Sequence, residues 1–132
     1  MSASIYDSAM FRDLFLDREM ATLFTDTAEL RAMLLVWGAL AQAQAAEGLI
    51  PEVSAKAIQR AAMEIQVDPA ALAKATGQNA VVVPALVTAF REELKAPEHA
   101  QWLHYGATSQ DIMETGLVLR LRQVLALYET RL

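Results

Sequence analysis

Apolar residues recur along the chain at the three- and four-residue spacing of helices. No window shows the strict alternation of apolar and polar residues that marks a half-buried strand. Gly and Pro interrupt the sequence at intervals of helical length. The pattern therefore predicts an all-α fold.

Capping and helix-breaking residues divide the chain into separate predicted helices. Ser, Thr and Asp oxygens accept the free N–H groups of a first turn, Pro is tolerated at the first helical position, and Gly ends helices. After a short turn near residues 8–15, these signals predict helices over about 28–47, from 51 onwards, over 69–77, over 84–95 and from 109 to the end. Pro97 is expected to close the fourth helix.

Two of the predicted helices carry more apolar surface than a small domain usually needs. Between positions 30 and 46 only Arg31, Gln42 and Gln44 are strongly polar, and a helix that is apolar nearly all round belongs in a core or an interface. The last helix carries a wide apolar arc and meets no stop signal before Leu132. We expect that the chain ends inside a longer element.

Composition is that of one compact folded domain. Of 132 residues, 55% are hydrophobic and 20% charged, which excludes disorder, and the net charge is −5. Without a clustered basic stripe we expect no nucleic-acid partner, and without an apolar tract of roughly 20 residues we expect no membrane span. The chain has no Cys and no secretory signal, so the expected location is the cytoplasm.

Residues 102–115 contain the candidate chemistry. They place Thr108 and Ser109 at the predicted start of the last helix, where free N–H groups and the helix dipole attract an anion such as a carboxylate. Gly106 lets a ligand approach the backbone closely. His104 can donate a hydrogen bond or move a proton, because its unperturbed pKa lies near neutral pH.

Spacing alone leaves a structural alternative open. Thr108 and Asp111 have the spacing of a capping box, which would only begin a helix. His99 and His104 are five residues apart without a third ligand, so no metal site is expected and His99 is expected on the surface. Ser109 has no visible His/Asp pairing for acyl transfer.

The sequence HYGATSQDIMETG at residues 104–116 resembles the first signature region of the fumarase/aspartase superfamily, in the form found in its 3-carboxy-cis,cis-muconate cycloisomerase branch. The similarity extends upstream through residues 40–51, 77–79 and 97–104. Gln78-Asn79 stands where adenylosuccinate lyases usually carry His-Asp, which favours the cycloisomerase branch.

The resemblance implies an all-α lyase-type fold. A helical amino-terminal domain, residues 1–108, would lead into the first long helix of a central helical bundle, of which residues 109–132 are the start. It further implies a homotetramer with sites built from three subunits, a small tricarboxylate substrate, and neither metal nor organic cofactor. The expected reaction is the lactonisation of 3-carboxy-cis,cis-muconate.

By motif matching, the resemblance also assigns roles to single residues. His104 would hydrogen-bond to the substrate or transfer a proton. Gly106 and Asp111 would support the loop and the helix start. The implied substrate-binding residues are Thr108, Ser109, Gln110 and Asn79.

The family's Ser-containing mobile loop, with its Met-Pro-Lys-Asn-type signature and its catalytic base, has no counterpart in these 132 residues. We therefore expect an amino-terminal portion of such an enzyme that is inactive by itself. Two alternatives stay open: another lyase of the superfamily, such as adenylosuccinate lyase, or a non-catalytic helical interaction module that keeps the motif only as a cap.

Overall fold

The computed structural model describes residues 4–132, and within that range it contains helices and no strand. The all-α prediction is confirmed. The helices are α1 (Arg12–Phe15), α2 (Arg18–Thr22), α3 (Asp26–Ala46), α4 (Glu52–Glu64), α5 (Pro69–Asn79), α6 (Val83–Leu94), α7 (Pro97–Ala100) and α8 (Ser109–Arg131). None of them is long and apolar enough to cross a membrane.

The predicted ranges of α3 and α6 agree with the structure to within two residues, while the predicted end of α5 and the role of Pro97 need correction. Gly77 remains helical, and α5 ends two residues later because Ala80 adopts the left-handed conformation. α6 ends at Leu94 because its C-cap residue Lys95 is also left-handed, so Pro97 does not close this helix. Pro97 instead begins α7, in the first turn, where its missing N–H costs nothing.

Side-chain caps fix where several helices begin. Thr25 Oγ1 accepts the Ala28 N–H at 3.2 Å at the start of α3, and Asp68 Oδ1 accepts the Ala70 N–H at 3.0 Å at the start of α5. At the C-terminal end of α4, the Arg31 guanidinium donates to the free carbonyl oxygen of Ala62 at 2.6 Å. Caps of this kind typically contribute about 1 kcal/mol each.

The core forms around Trp37 of α3, of which only 1% is exposed. Its ring meets the ring of Phe90 edge to face, with centroids 5.9 Å apart. Gly38 allows α3 and α4 to approach closely, since a Cβ there would lie 3.3 Å from Ala62 Cβ. Full burial of an aliphatic or aromatic side chain contributes about 1.5–3 kcal/mol. Other completely buried members of this core are Met33, Ile58, Leu86 and Val83.

Helix α8 lies across α3 along one narrow stripe. Its buried residues are spaced four apart: Ile112, Gly116, Arg120 and Val124. The Arg120 guanidinium lies 3.7 Å from Glu29 and over the ring of Phe24. At the far end of α8, the Arg131 guanidinium bonds to Asp17 and Glu19 of the amino-terminal segment. Met113, Leu119 and Leu127 are partly buried, and most other side chains of the helix are exposed.

Candidate carboxylate-binding site

The loop between α7 and α8 turns sharply at two residues with positive φ. Gly106 has φ +67°, which a glycine adopts without cost. His104 has φ +63°, which costs a residue with a Cβ roughly 1–2 kcal/mol. Contacts from the surrounding helices must offset that cost.

Two helices hold the backbone of this loop. From α6, the Arg91 guanidinium donates to the carbonyl oxygens of Ala100 at 3.2 Å and Leu103 at 3.3 Å. From α3, Gln44 Nε2 donates to the carbonyl oxygen of Tyr105 at 2.6 Å. The loop is therefore fixed on both sides of His104.

The His104 ring is held by the core tryptophan. Trp37 Nε1–H donates to His104 Nδ1 at 3.1 Å, and the two rings meet edge to face with centroids 5.8 Å apart. Burial lowers the pKa of His104 below its ordinary value, the positive charge of Arg91 acts in the same direction, and Asp111 opposes both. His104 is therefore a neutral imidazole at neutral pH.

The start of α8 combines a cap with unused donors. Thr108 and Asp111 form a capping box, in which Asp111 Oδ2 accepts the Thr108 N–H at 2.9 Å. The N–H groups of Ser109 and Gln110 have no acceptor within the helix, since the first turn offers none. Thr108 is exposed and Ser109 is partly exposed. The capping box is thus present, and among residues 4–132 the Ser109 hydroxyl and these two N–H groups have no hydrogen-bond partner.

The side chains of two other residues assigned from the family motif form no hydrogen bond to this loop within residues 4–132. Gln110 Nε2 donates to Glu114 Oε1 at 2.6 Å, further along α8. Asn79 is exposed at the end of α5, and no hydrogen bond in residues 4–132 joins it to the loop. The structure of the single chain therefore gathers His104, Thr108 and Ser109, with Asn79 on a separate element.

The prediction that His99 is a surface residue is wrong. Its side chain is only 22% exposed, and its Nδ1 lies 3.1 Å from the hydroxyl oxygen of Ser54, a buried residue of α4. His99 is partly buried because it belongs to α7, a helix that the sequence analysis did not predict and that packs against α4. Across the described range 4–132, no three metal-ligating side chains of His, Asp or Glu lie together.

The residues that hold the loop escaped sequence reasoning. Trp37 belongs to the apolar stretch of α3 and has the pattern of a core residue. The sequence does not show that its Nε1–H donates to His104. Gln44 carried a usable signal, since it is a polar residue in an otherwise apolar helix. Arg91 carried none, because an arginine near a helix C-terminus is common on dipole grounds alone.

Comparison with known proteins places this geometry in a family. Residues 16–130 match the lyase family. The N-acetyl-S-(2-succino)cysteine lyase of Enterococcus italicus is 38% identical over 123 residues, covering 92% of this chain and 26% of the relative. The 3-carboxy-cis,cis-muconate cycloisomerase of Pseudomonas putida is 39% identical over 125 residues, covering 93% of this chain and 30% of the relative.

A solved structure agrees with the sequence relatives. The crystal structure of 3-carboxy-cis,cis-muconate lactonizing enzyme from Pseudomonas putida superposes with a TM-score of 0.85 at 38% identity, covering 93% of this chain and 28% of that one. The chain belongs to the lyase family, within the fumarase/aspartase superfamily. The resemblance to 3-carboxy-cis,cis-muconate cycloisomerases is confirmed, and the chain spans less than a third of the length of these relatives.

Proposed function

We propose that this chain forms the amino-terminal portion of a 3-carboxy-cis,cis-muconate cycloisomerase and that the start of α8 binds one carboxylate of the substrate. The observation that carries the proposal is a set of donors at the start of α8 that have no hydrogen-bond partner within residues 4–132: the Ser109 hydroxyl and the N–H groups of Ser109 and Gln110. The relatives and solved structure with this activity support the choice of substrate.

The reaction explains why fixed donors suit this site. Lactonisation adds a carboxylate oxygen of carboxymuconate across a C=C bond, which places negative charge on the carbon beside another carboxyl group. That carboxyl group moves toward an aci-carboxylate, so hydrogen bonds to its oxygens strengthen as the reaction proceeds. Removing one preorganised donor of this kind typically costs about 3 kcal/mol in the transition state.

The remaining assigned residues have supporting roles in the proposal. Thr108 both caps α8 and contacts the carboxylate, while Gly106 and Asp111 fix the loop and the helix start. In the proposal, Gln110 and Asn79 also bind the substrate. No metal or organic cofactor takes part, and the reaction occurs in the cytoplasm, where a chain without Cys is suited to reducing conditions.

Completion of the site requires segments outside these 132 residues. We assign residues 1–108 to the amino-terminal domain and residues 109–132 to the first helix of the central bundle of a homotetramer. Large apolar side chains on the uncovered side of α8 support that assembly: Leu117, Val118, Leu121, Leu125 and Tyr128. Because the family's catalytic loop is absent, the isolated chain is expected to be inactive.

A second candidate is a lyase that cleaves a 2-succino thioether. It is favoured by the 38% identity to N-acetyl-S-(2-succino)cysteine lyase, which is close to the identity with the cycloisomerase. Such a substrate also presents carboxylates to the α8 start. Its cleavage would break a C–S bond and release fumarate and a thiol.

A chimaera distinguishes the two candidates. In it, this chain replaces the matching segment of the Pseudomonas putida cycloisomerase, and a parallel chimaera uses the Enterococcus italicus lyase. We expect lactone formation from carboxymuconate in the first chimaera and little fumarate release from the thioether in the second. Folded, tetrameric chimaeras with the opposite result would move the assignment to the thioether lyase.

A further inference from the structure

The contact between Trp37 and His104 decides which ring nitrogen of the histidine carries the proton. Trp37 Nε1–H can only donate, and it lies 3.1 Å from His104 Nδ1. The acceptor nitrogen of a neutral imidazole carries no hydrogen, so the single proton must lie on Nε2. The tryptophan is fully buried and packed against Phe90, so its donor cannot turn away.

We infer that Trp37 is a positioning residue that locks His104 in the Nε2–H tautomer and so makes it a hydrogen-bond donor to the substrate, not the base that abstracts a proton. Nδ1 is occupied by the indole N–H, and Nε2 already holds a proton. To accept a further proton, the ring must lose the Trp37 bond and become positively charged beside Arg91. This role in substrate binding rests on the proposed function, whereas the tautomer itself does not.

The charged groups around the ring agree with this role. The guanidinium of Arg91 disfavours a second proton on His104, and the carboxylate of Asp111 favours it. Asp111 is engaged by the Thr108 N–H at the helix start. Desolvation outweighs the carboxylate, so these groups together favour the neutral ring.

The tautomer is measurable by ¹⁵N NMR of the 132-residue chain with labelled histidine, without any substrate. Above pH 7, His104 should show an unprotonated Nδ1 and a protonated Nε2, with a scalar coupling from Trp37 Nε1 to His104 Nδ1. A single net hydrogen bond of about 1 kcal/mol favours one tautomer roughly fivefold. The signals of His99, which lies at a different site, serve as the internal reference.

Two variants test whether Trp37 causes the preference. Trp37→Phe removes the N–H and keeps an aromatic ring, so we expect the Nε2–H preference to fall roughly fivefold and the pKa of His104 to rise. Phe90→Leu disturbs the other side of the same indole and keeps the N–H, so the tautomer should persist. Unchanged His99 signals report that each variant is folded.

The inference is overturned if wild-type His104 carries its proton on Nδ1, or if folded Trp37→Phe retains the wild-type tautomer ratio. The spectrum of the wild-type chain alone shows which nitrogen of His104 carries the proton. The tautomer is therefore tested even if Trp37→Phe does not fold. Failure of the chimaeras to form lactone would instead count against the proposed function and would not change the NMR result.

Discussion

Helices α3 and α8 are similar in length, with 21 and 23 residues, and differ in what covers them. α3 is enclosed by other helices of the same chain, which bury side chains on several of its faces. α8 is covered along one stripe only and exposes Leu121, Leu125 and Tyr128 to solvent. The difference shows that α3 is stabilised by packing within the chain, while α8 exposes several large apolar side chains to solvent.

The candidate site lies where these two helices meet. α3 contributes Trp37 and Gln44, which fix the ring of His104 and the carbonyl of Tyr105. α8 contributes the free donors of its first turn. The enclosed helix thus provides the rigid support, and the uncovered helix provides the donors.

Truncation of a buried side chain in α3 should lower the free energy of unfolding far more than truncation of an exposed side chain in α8. Leu34→Ala removes a buried side chain of α3, and we expect a loss of about 2–5 kcal/mol in the free energy of unfolding. The matched change Leu125→Ala on α8 should cost less than about 0.5 kcal/mol, because its side chain is exposed. Urea unfolding of the chain measures both, and equal losses would contradict the contrast.

A large side chain at Gly116 should disrupt the packing of α8 against α3. A Cβ there would lie 3.4–3.6 Å from Met33 and from the α3 backbone at Ala32. Gly116→Leu should therefore lower the free energy of unfolding by about 1–3 kcal/mol. Gly77→Ala is the control, since Gly77 has open space around it and alanine should raise stability by about 0.5–1 kcal/mol.

Acidification should remove the stabilising contribution of His104. Its pKa in the folded chain is below the ordinary 6.5, so the unfolded chain binds the proton more readily. The contribution is present above about pH 6.5 and is lost as the pH falls through the folded-state pKa. The difference in unfolding free energy between wild type and His104→Asn, which also tolerates positive φ, should shrink with falling pH. A difference that grows on acidification would refute this.

The smallest effect is expected where the end of α8 meets the amino-terminal segment. The Arg131 guanidinium lowers the pKa of Asp17 to about 2, and a hydrogen bond from the Met20 N–H contributes further. Arg131→Gln should return that pKa toward 3.8 with little change in Tm at neutral pH, because the pair is exposed. An NMR titration of the Asp17 carboxyl measures the shift, with Lys56→Gln, which breaks a separate exposed pair, as the control.

Sequence reasoning predicted the all-α fold, because caps and prolines are local signals. The assignment of a carboxylate site to the 104–116 motif, which is also a local signal, stays a prediction. Sequence reasoning missed α7, a four-residue helix too short to show periodicity, and with it the buried position of His99. It also missed Trp37 and Arg91, whose partners lie 67 and 9 to 12 residues away along the chain. Contacts over such distances depend on packing, which no single window of sequence reports.

One measurement tests the carboxylate site most directly. In the chimaera with the Pseudomonas putida cycloisomerase, kcat/KM for carboxymuconate is compared between Ser109→Ala and Thr88→Ala, which removes an exposed hydroxyl of α6. Because a hydrogen bond to a charged group contributes about 1.5–3 kcal/mol, Ser109→Ala should lower kcat/KM by about 10- to 100-fold with Tm unchanged. If the two variants keep the same kcat/KM, the Ser109 hydroxyl does not bind the substrate, and the proposed set of donors is contradicted.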